Sequence, residues 1–416
     1  MSSNHTGRVL VLGDDMRIFL SVCRALGRAG KTVHAVPFDT TSPALKSRYV
    51  KAVHKVPDFA EQPAEWLSGI RGLASRFSFD LIIPCTDPAI IALDHNRDAL
   101  ADQCLAIPSA LSMDFFFDKA TTHQTCMQIG VPVLQASRLD HSGTPAEIIA
   151  RYGLPVVIKP RRSFWQDQLN VKDAVHIIED AAQLHAVHAG LINPSRYLVE
   201  QYFEGQGVGV SVLASKGKIV QAFQHRRLRE GKGGSSSYRI SEKLDDAMLE
   251  ACDKVCRHTH HSGVCMFEFR RNPDTGDMVL LETNSRFWGS MPLPTAIGVD
   301  FPNALYELLV LAKQRPAMTY KAGMRSRNLV LDAYNIYKHG RQATLRSVPG
   351  LASDAIDFLL QPVRWIAGTE LSDSFVSDDL APAVAELVQL PRQLMRKILS
   401  GGKPGQIGGI NKSFAK

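Results

Sequence analysis

Short apolar runs alternate with amphipathic segments over the first hundred residues. Buried-type strands are predicted at Arg8–Leu12, Thr32–Val36 and Leu81–Pro84, with helices near residues 19–29 and 66–76 between them. This alternation predicts a doubly wound, Rossmann-like parallel sheet as a first domain over residues 1–112. Ligands of such sheets bind beyond the carboxyl ends of the strands, which here means near Gly13-Asp14-Asp15 and Thr86-Asp87.

The pattern changes after residue 112 to strands that read as antiparallel pairs flanked by helices. It predicts an α+β domain over residues 113–318, with a small subdomain at about 115–195 and a large one at about 196–318. Residues 319–416 read as a helical extension. Its last two helices are predicted at 381–390 and 392–399, separated by Pro391, and the Gly-rich basic tail after Ser400 is predicted to be disordered.

Two β-favouring runs around residues 266–270 and 280–286 are joined by a segment rich in turn-forming residues, which predicts a hairpin. Because successive strand side chains point to opposite faces, Glu282, Asn284 and Arg286 share one face. The hairpin brings Glu268 opposite either Leu281 or Glu282. The pattern does not decide between these two registers.

Two carboxylates facing each other across a sheet repel, and a hard cation relieves the repulsion. Glu268, Glu282 and the amide oxygen of Asn284 form an oxygen-only set that suits Mg²⁺, which usually keeps waters and is completed by substrate phosphates. Mn²⁺ can take the same ligands. The alternative from this segment alone is a pair of solvated acids on an exposed hairpin.

Composition and charge narrow the class of protein. The chain has 416 residues, 45% hydrophobic and 21% charged, and no uninterrupted apolar stretch long enough to span a membrane. Its net charge of +7 is scattered rather than gathered in a stripe, which argues against a nucleic-acid partner. Seven irregularly spaced cysteines fit a reducing compartment, so we expect a cytoplasmic protein.

Two motifs look like ligand sites but lack the required context. Residues 25–32 (ALGRAGKT) fit a relaxed phosphate-loop pattern, yet the helix precedes the glycines and a strand follows, so Gly30 is interpreted as a helix end. Cys252 and Cys256 lie four residues apart on a predicted helix near three histidines. That spacing favours helix packing over zinc binding.

Charged residues stand at the ends of several apolar runs between residues 115 and 290. Lys119 and Lys159 supply cations, Glu200 follows a strand, and Arg286 shares the face of the acidic residues. Each lysine alone is more often a solvated surface charge. Together with the acidic pair they describe a site for a magnesium triphosphate.

The order of these motifs resembles the ATP-grasp superfamily, in particular its carbamoyl-phosphate-synthase-like or carboxylate–amine ligase branch. The resemblance covers most of residues 8–315. It is carried by the segments DKATTHQTCMQIGVPV, LPVVIKP, YLVEQYFEGQGVGVSVL, HRRLREGKGGSS, MFEFRRN and LLETNSRFWGS.

The resemblance implies a Rossmann-like domain followed by two subdomains that hold ATP between them. It implies a ligase that phosphorylates a carboxylate to an acyl phosphate, which an amine then attacks, with release of ADP and phosphate. By position, Lys119 and Lys159 would hold the nucleotide phosphates, and Arg286 would stabilise the transferred phosphoryl group with Lys159. Glu200, with Gln201, Tyr202 and Phe203, would contact the adenine, and Glu268, Glu282 and Asn284 would ligate the metal.

The chain departs from the family pattern at two places. Many relatives carry a ribose-binding Glu seven residues after the adenine-site Glu, and Gly207 stands here instead. The segment after Lys159 lacks the usual Gly-rich phosphate loop, and Arg161, Arg162 and Ser163 could substitute for it.

A basic segment followed by Gly231–Gly234 and three serines is interpreted as a substrate loop, with a solvated mobile loop as the alternative. With Arg161 it predicts an anionic small-molecule substrate beside the amine. The candidate contacts in this segment are His225, Arg226, Arg227 and Arg229.

Two other functions remain open from the sequence. One is a kinase of the same fold that releases a phosphorylated product. The other is a nucleotide-binding regulatory protein that has lost catalysis. The sequence also leaves open whether the chain is a monomer or a homodimer.

Overall fold

The computed structural model of the protein describes residues 7–231, 236–341 and 348–399. The tail predicted to be disordered, and part of the glycine–serine segment after residue 231, lie outside these residues. In the described residues, no helix is long and apolar enough to cross a membrane.

The N-terminal unit is a parallel sheet with the strand order β3-β2-β1-β4. Both faces of this sheet are covered: Val9 and Val11 enter one hydrophobic core, and Leu10 and Leu12 enter another. The alternating pattern therefore predicted this architecture correctly. Its elements are β1 (Arg8–Leu12), α1 (Ile18–Arg28), β2 (Thr32–Val36), β3 (Val50–Val53), α2 (Pro63–Phe77), β4 (Leu81–Pro84) and α3 (Asp87–His95).

Helix α1 begins and ends for local reasons. The Asp15 carboxylate accepts hydrogen bonds from the backbone N–H groups of Arg17, Ile18 and Phe19, which satisfies donors at the start of the helix. Gly30 follows the helix at φ 76°, a conformation that glycine adopts without strain. The interpretation of Gly30 as a helix end is confirmed.

A second sheet, with the order β5-β8-β6-β7, is antiparallel throughout and forms the small subdomain. Strand β8 was expected to open the large subdomain, but it hydrogen-bonds to both β5 and β6 in this sheet. The elements are α4 (Met113–Phe117), α5 (Lys119–Gln128), β5 (Ala136–Arg138), α6 (Pro145–Tyr152), β6 (Val156–Pro160), β7 (His176–Ile178), α7 (Ala181–Gly190) and β8 (Tyr197–Gln201).

The described residues after 205 build a seven-stranded sheet with the order β13-β12-β9-β10-β11-β14-β15. The elements up to residue 310 are β9 (Gln206–Ser215), β10 (Lys218–Glu230), β11 (Ser236–Glu242), α8 (Asp246–His258), β12 (Gly263–Arg271), β13 (Met278–Asn284), α9 (Pro292–Ala296) and α10 (Phe301–Val310). The remaining elements are β14 (Arg325–Arg327), α11 (Leu329–Arg341), α12 (Val348–Leu359), α13 (Gln361–Ile366), β15 (Glu370–Ser372) and α14 (Ala381–Leu399).

The C-terminal region is mainly helical, as predicted, but it also adds β14 and β15 to the large sheet. The prediction of two helices separated by Pro391 is wrong, because α14 runs through that residue. A proline removes only one backbone donor, so it does not by itself decide where a helix ends.

The two faces of the large sheet have different neighbours. One face packs Val210, Val212 and Phe267 against α8, including the buried Cys252 and Cys256. These cysteines therefore pack in a core, as expected, and no metal-binding cluster of His, Cys, Asp and Glu occurs in the described part of the chain. On the other face, apolar residues such as Phe223 and Met266 pack in a core shared with the N-terminal unit.

A buried ion pair ties the C-terminal region to α1. Arg24 Nε lies 2.9 Å from Asp379 Oδ2, and the two side chains are only 4% and 1% exposed. Arg24 also donates to the carbonyls of Asp373, Ser374 and Asp379. Asp379 in turn accepts from Ser47 Oγ at 2.7 Å and from the Arg48 N–H at 2.9 Å. The segment between β15 and α14 is thus held against the N-terminal unit.

This arrangement predicts that Arg24→Met lowers the free energy of unfolding by about 3–5 kcal/mol, because it leaves the buried Asp379 carboxylate without its cation. The matched control is Arg28→Met on the same helix, which removes an ion pair with Asp378 whose side chains are 36% and 40% exposed. That change should cost less than about 1 kcal/mol. Urea denaturation of both variants checks the difference, and equal effects would contradict it.

Candidate active site

The hairpin of β12 and β13 sets two carboxylates side by side. Glu268 pairs directly with Glu282, and Met266 pairs with Asn284. This is one of the two registers that the sequence allowed. A β-bulge follows at Glu268/Phe269. Asn284 Nδ2 lies 3.3 Å from Glu268 Oε1, so the three predicted metal ligands form one group.

Each carboxylate is held by a cation from elsewhere in the chain. Lys119 Nζ lies 3.1 Å from Glu282 Oε1, and Arg227 Nη2 lies 2.7 Å from Glu268 Oε2. Burial alone would raise the pKa of Glu282, but Lys119, Lys172 and Lys159 together lower it to about 2. Glu282 is therefore charged at neutral pH, and each of the two acids is paired with a basic side chain.

Lys119 reaches the hairpin because α5 begins at that residue. Asp118 caps the helix by accepting from the Ala120 N–H at 2.9 Å, and the Lys119 N–H donates to the Arg161 carbonyl at 2.8 Å. Arg161 Nη2 binds Asp118 Oδ2 at 2.7 Å. Arg161 was predicted to contact phosphate or substrate, and the structure instead uses it to fix the start of α5 to the end of β6. Ser163 does face the site, with its Oγ 3.2 Å from Lys119 Nζ.

Lys159 and Glu200 form a buried pair between β6 and β8. Lys159 Nζ lies 2.6 Å from Glu200 Oε2, and each side chain is 9% exposed. Lys159 also donates to the Leu281 carbonyl at 3.4 Å, which places it beside the acidic hairpin. Beyond Glu200, Gln201 and Tyr202 are exposed and Phe203 is half-buried. These predicted adenine contacts therefore have surface available to a ligand.

Arg286 joins the hairpin to the N-terminal unit. It donates to the Asp87 carboxylate through Nε at 2.6 Å and through Nη2 at 3.2 Å. Although burial lowers the pKa of Arg286, Asp87, Glu282 and Glu268 raise it above its usual value. Asp87 is the first residue of α3, just beyond the carboxyl end of β4. The sequence pattern predicted ligand binding near Thr86-Asp87 but did not predict that Asp87 binds Arg286.

Several of these residues line one pocket. Its lining combines the N-terminal unit, the small subdomain and the large sheet, with polar groups from Asp87, Lys119, Ser163, Glu282, Asn284 and Ser285. The pocket therefore lies where all three parts of the chain meet.

The basic residues of β10 have partners in different parts of the structure. Arg227 joins the acidic hairpin, but Arg226 binds Glu242 at 2.6 Å. Arg229 is buried against Asp332 and Asp354, at 2.5 and 2.8 Å. The structure therefore places Arg229 in the packing of the C-terminal region rather than in a substrate contact. Its partners lie more than a hundred residues away in sequence, so the local pattern could not reveal them.

His225 and Gly207 are explained by close packing over the sheet. His225 is buried, and burial with the nearby Arg227 and Arg239 lowers its pKa well below the usual value, so its ring is neutral. A side chain at 207 would overlap the Glu230 carboxylate. An acid thus occupies the space beside Gly207, where the family pattern places the ribose-binding Glu.

The chain has the ATP-grasp fold, as the motif order predicted. Residues 193–329 match the family described as ATP-grasp in the biosynthetic pathway with Ter operon. No curated protein shows significant sequence similarity to the chain.

Solved structures resemble the chain over most of its length. L-amino acid ligase from Bacillus licheniformis superposes with a TM-score of 0.56 at 16% identity, over 76% of each chain. N5-carboxyaminoimidazole synthetase from Staphylococcus aureus, complexed with ADP, gives 0.58 at 14%, over 76% of this chain and 80% of that one. Biotin carboxylase from Campylobacter jejuni gives 0.58 at 17%, over 76% and 74%. At these identities the likeness establishes the fold.

The ion pairs around the acidic hairpin predict how metal binds. Because Lys119 and Arg227 occupy Glu282 and Glu268, a divalent cation competes with them unless phosphates draw the lysine away. We expect Mn²⁺, followed by its electron paramagnetic resonance signal, to bind at least about tenfold more tightly with a non-hydrolysable ATP analogue present, a difference of about 1.4 kcal/mol. Equal affinity with and without the analogue would contradict this expectation.

Proposed function

We propose that the protein is a Mg²⁺- and ATP-dependent ligase that joins a carboxylate to an amine through an acyl phosphate. The observation that carries the proposal is the arrangement of three cations around the Glu268–Glu282 pair. Lys119 binds Glu282, Lys159 donates to the Leu281 carbonyl of the same hairpin, and Arg286 lies just after its second strand. Three cations beside two carboxylates match the needs of phosphoryl transfer, which depends on positioning and charge neutralisation.

The donor set fits the metal that the fold implies. Glu268 and Glu282 supply carboxylate oxygens and Asn284 supplies an amide oxygen, and all three lie on neighbouring positions of one hairpin. Mg²⁺ commonly binds through one or two carboxylates and completes its octahedron with water and phosphate oxygens. Glu268, Glu282 and Asn284 would hold the ion, which would supply positive charge to neutralise the charge that develops during transfer.

The lysines are held ready by partners that a nucleotide can replace. Lys119 binds Glu282 and Lys159 binds Glu200, so each ammonium group is desolvated and fixed before the ligand arrives. Phosphate oxygens offer the same charge as these carboxylates. Transfer of Lys119 to a phosphate would leave Glu282 open to the metal, which couples nucleotide binding to metal binding.

Glu200 and the residues that follow it would contact the adenine, and Glu230 would supply the acid for the ribose. Glu230 Oε2 binds Arg270 Nη2 at 2.8 Å, whereas its Oε1 is buried and makes no hydrogen bond within the described residues. This oxygen lies against Gly207, and Arg227 Nη1 is 3.9 Å from it. This position supports a ribose contact from Glu230 in place of the Glu that many relatives carry at the position of Gly207.

Arg286 is assigned to the transferred phosphoryl group and the reacting carboxylate. Its guanidinium already binds Asp87 in a two-point geometry, which is the geometry that it would offer to a substrate carboxylate or a phosphate. Asp87 therefore acts as a positioning residue, since it orients the guanidinium before a substrate is present.

The test of the metal assignment is Glu282→Gln. The change keeps the size of the side chain but removes the charge, so ATP turnover should fall at least about 100-fold while the folded structure is retained. The control is Glu250→Gln on α8, whose side chain is 67% exposed and pairs only with Lys254. Turnover is measured as ADP formed with a small-molecule extract, and folding by circular dichroism. Unchanged turnover in Glu282→Gln would refute the metal site.

The test of the reaction class is the nature of the phosphorus products. An extract-dependent release of ADP and phosphate, with a hydroxamate formed when hydroxylamine is added, is expected for an acyl phosphate. ADP together with a stable phosphorylated product would favour the kinase. AMP with pyrophosphate would overturn the mechanism, and nucleotide binding without any turnover would favour a regulatory protein.

A further inference from the structure

A second group of charged side chains lies beyond the acidic hairpin, and the reaction proposed above does not use it. Its centre is Arg239 of β11, which is fully buried and binds Asp373 Oδ1 through Nη2 at 2.5 Å. Arg17, from the loop before α1, and Glu386, from α14, are close enough for their charges to act on this pair or on each other. Residues from the N-terminal unit, the large sheet and the C-terminal region thus meet here.

The buried pair has hydrogen-bonding groups that nothing uses. Arg239 Nε and Nη1 donate to no acceptor within the described residues, and Asp373 Oδ2 accepts from no donor there. His225 Nδ1, on the neighbouring strand, is also buried and makes no hydrogen bond within the described residues. Leaving a buried donor or acceptor unsatisfied costs about 1–3 kcal/mol each, more for charged groups. The arrangement therefore calls for a partner that both accepts from a guanidinium and donates to a carboxylate.

The charges around the pair support the same conclusion. Burial raises the pKa of Glu386 to about 7; Asp373 adds to this, whereas the Ser374 hydroxyl and Arg17 oppose it. Two acids so close to each other favour a cation between them. The pKa of Arg17 is also shifted: burial and the neighbouring Arg239 guanidinium lower it, whereas Asp15 and Asp373 raise it.

The position of this group relative to the acidic hairpin follows from strand pairing. Arg239 lies directly opposite Arg227 across β10 and β11, so the two side chains share a sheet face with Glu268. Strand β11 is three strands from β12 in the sheet, about 14 Å between backbones. Arg17 is held at the same face, since Gly289, just after β13, leaves room for its guanidinium.

We propose that Arg17, Arg239, Asp373 and Glu386 form the subsite for the amine substrate and that this substrate is an α-amino acid. Arg239 Nε and Nη1, with Arg17, bind its carboxylate, and Asp373 Oδ2, with Glu386, binds its ammonium group. The proposal rests on the ligase function above, because it gives the amine of that reaction a place and a chemical class.

The combination of charges selects a zwitterion. A simple carboxylate would leave Asp373 Oδ2 without a donor, and a simple amine would leave Arg239 Nε and Nη1 without an acceptor. A site with buried groups of both kinds discriminates against ligands that lack either one, because the missing contact leaves a desolvated group unpaired. The subsite should therefore bind an amino acid more tightly than the corresponding acid or amine alone.

The test is calorimetry of the full-length protein saturated with Mg²⁺ and a non-hydrolysable ATP analogue. Each of the twenty common L-amino acids is titrated, and for any that binds, the matched acid and amine follow (propionate and ethylamine for alanine). We expect at least one amino acid to bind, and its acid and amine to bind at least tenfold more weakly. If no amino acid binds, or if the acid alone binds as well, the assignment is overturned.

Substitutions of Arg17 and Glu386 test whether the amino acid binds at this subsite. Arg17→Met and Glu386→Gln should each weaken the amino acid at least tenfold without changing the affinity of the nucleotide analogue, and Arg17→Lys should weaken it less than Arg17→Met. The control is Arg71→Met, an exposed arginine on α2 of the same unit. Amino-acid affinity that both variants leave unchanged would refute the subsite.

The nucleotide titration keeps the two proposals apart. If the analogue does not bind at all, the ligase function fails. If it binds while no amino acid does, only the present inference fails.

Discussion

The repulsion between Glu268 and Glu282 is the constraint around which the rest of the site is organised. Their strand register places the two carboxylates directly opposite each other, and the hairpin cannot separate them without losing its pairing. Cations from different parts of the chain reduce this repulsion. Lys119 comes from the small subdomain and Arg227 from the large sheet, while Arg286 follows the hairpin itself and is anchored to Asp87 of the N-terminal unit. The meeting of the three parts is therefore electrostatic as well as hydrophobic.

Every cation expected to act on ATP is paired with an acid in the ligand-free protein. This removes the penalty of holding unpaired charges in a partly buried pocket, and it fixes the side chains in place. It also means that binding is an exchange of partners rather than an addition of contacts. Under the proposed function, the net affinity would depend on how much more favourably phosphate and metal interact with these groups than the internal ion pairs do.

The C-terminal region completes the large sheet and closes the far side of the site. Strands β14 and β15 extend the sheet beyond β11, and the segment after β15 carries Asp373 to Arg239 and Asp379 to Arg24. These contacts bind the last described part of the chain to the first helix. A region that the sequence presented as a featureless helical extension is thereby part of the polar face on which the second substrate is proposed to bind.

The sequence by itself determined the elements with local signals. The alternation of strands and helices predicted the N-terminal sheet, and the turn between two β-favouring runs predicted the hairpin with Glu282 and Asn284 on one face. The structure then decided that Glu268 pairs with Glu282 rather than with Leu281. The order of the motifs indicated the ATP-grasp fold. In each case the information lies within a few residues, where strand periodicity and turn chemistry act directly on the backbone.

Only the tertiary structure decided which charged groups meet. Nothing in the local pattern distinguished Arg227, which binds Glu268, from Arg229, which binds Asp332, because the partners of both arginines are distant in sequence and a β-bulge separates the two residues. The pairing of Arg286 with Asp87, and of Arg239 with Asp373, likewise joins residues more than a hundred positions apart. Ion pairs of this kind carry no periodicity, so they emerge only when the sheets and helices are packed.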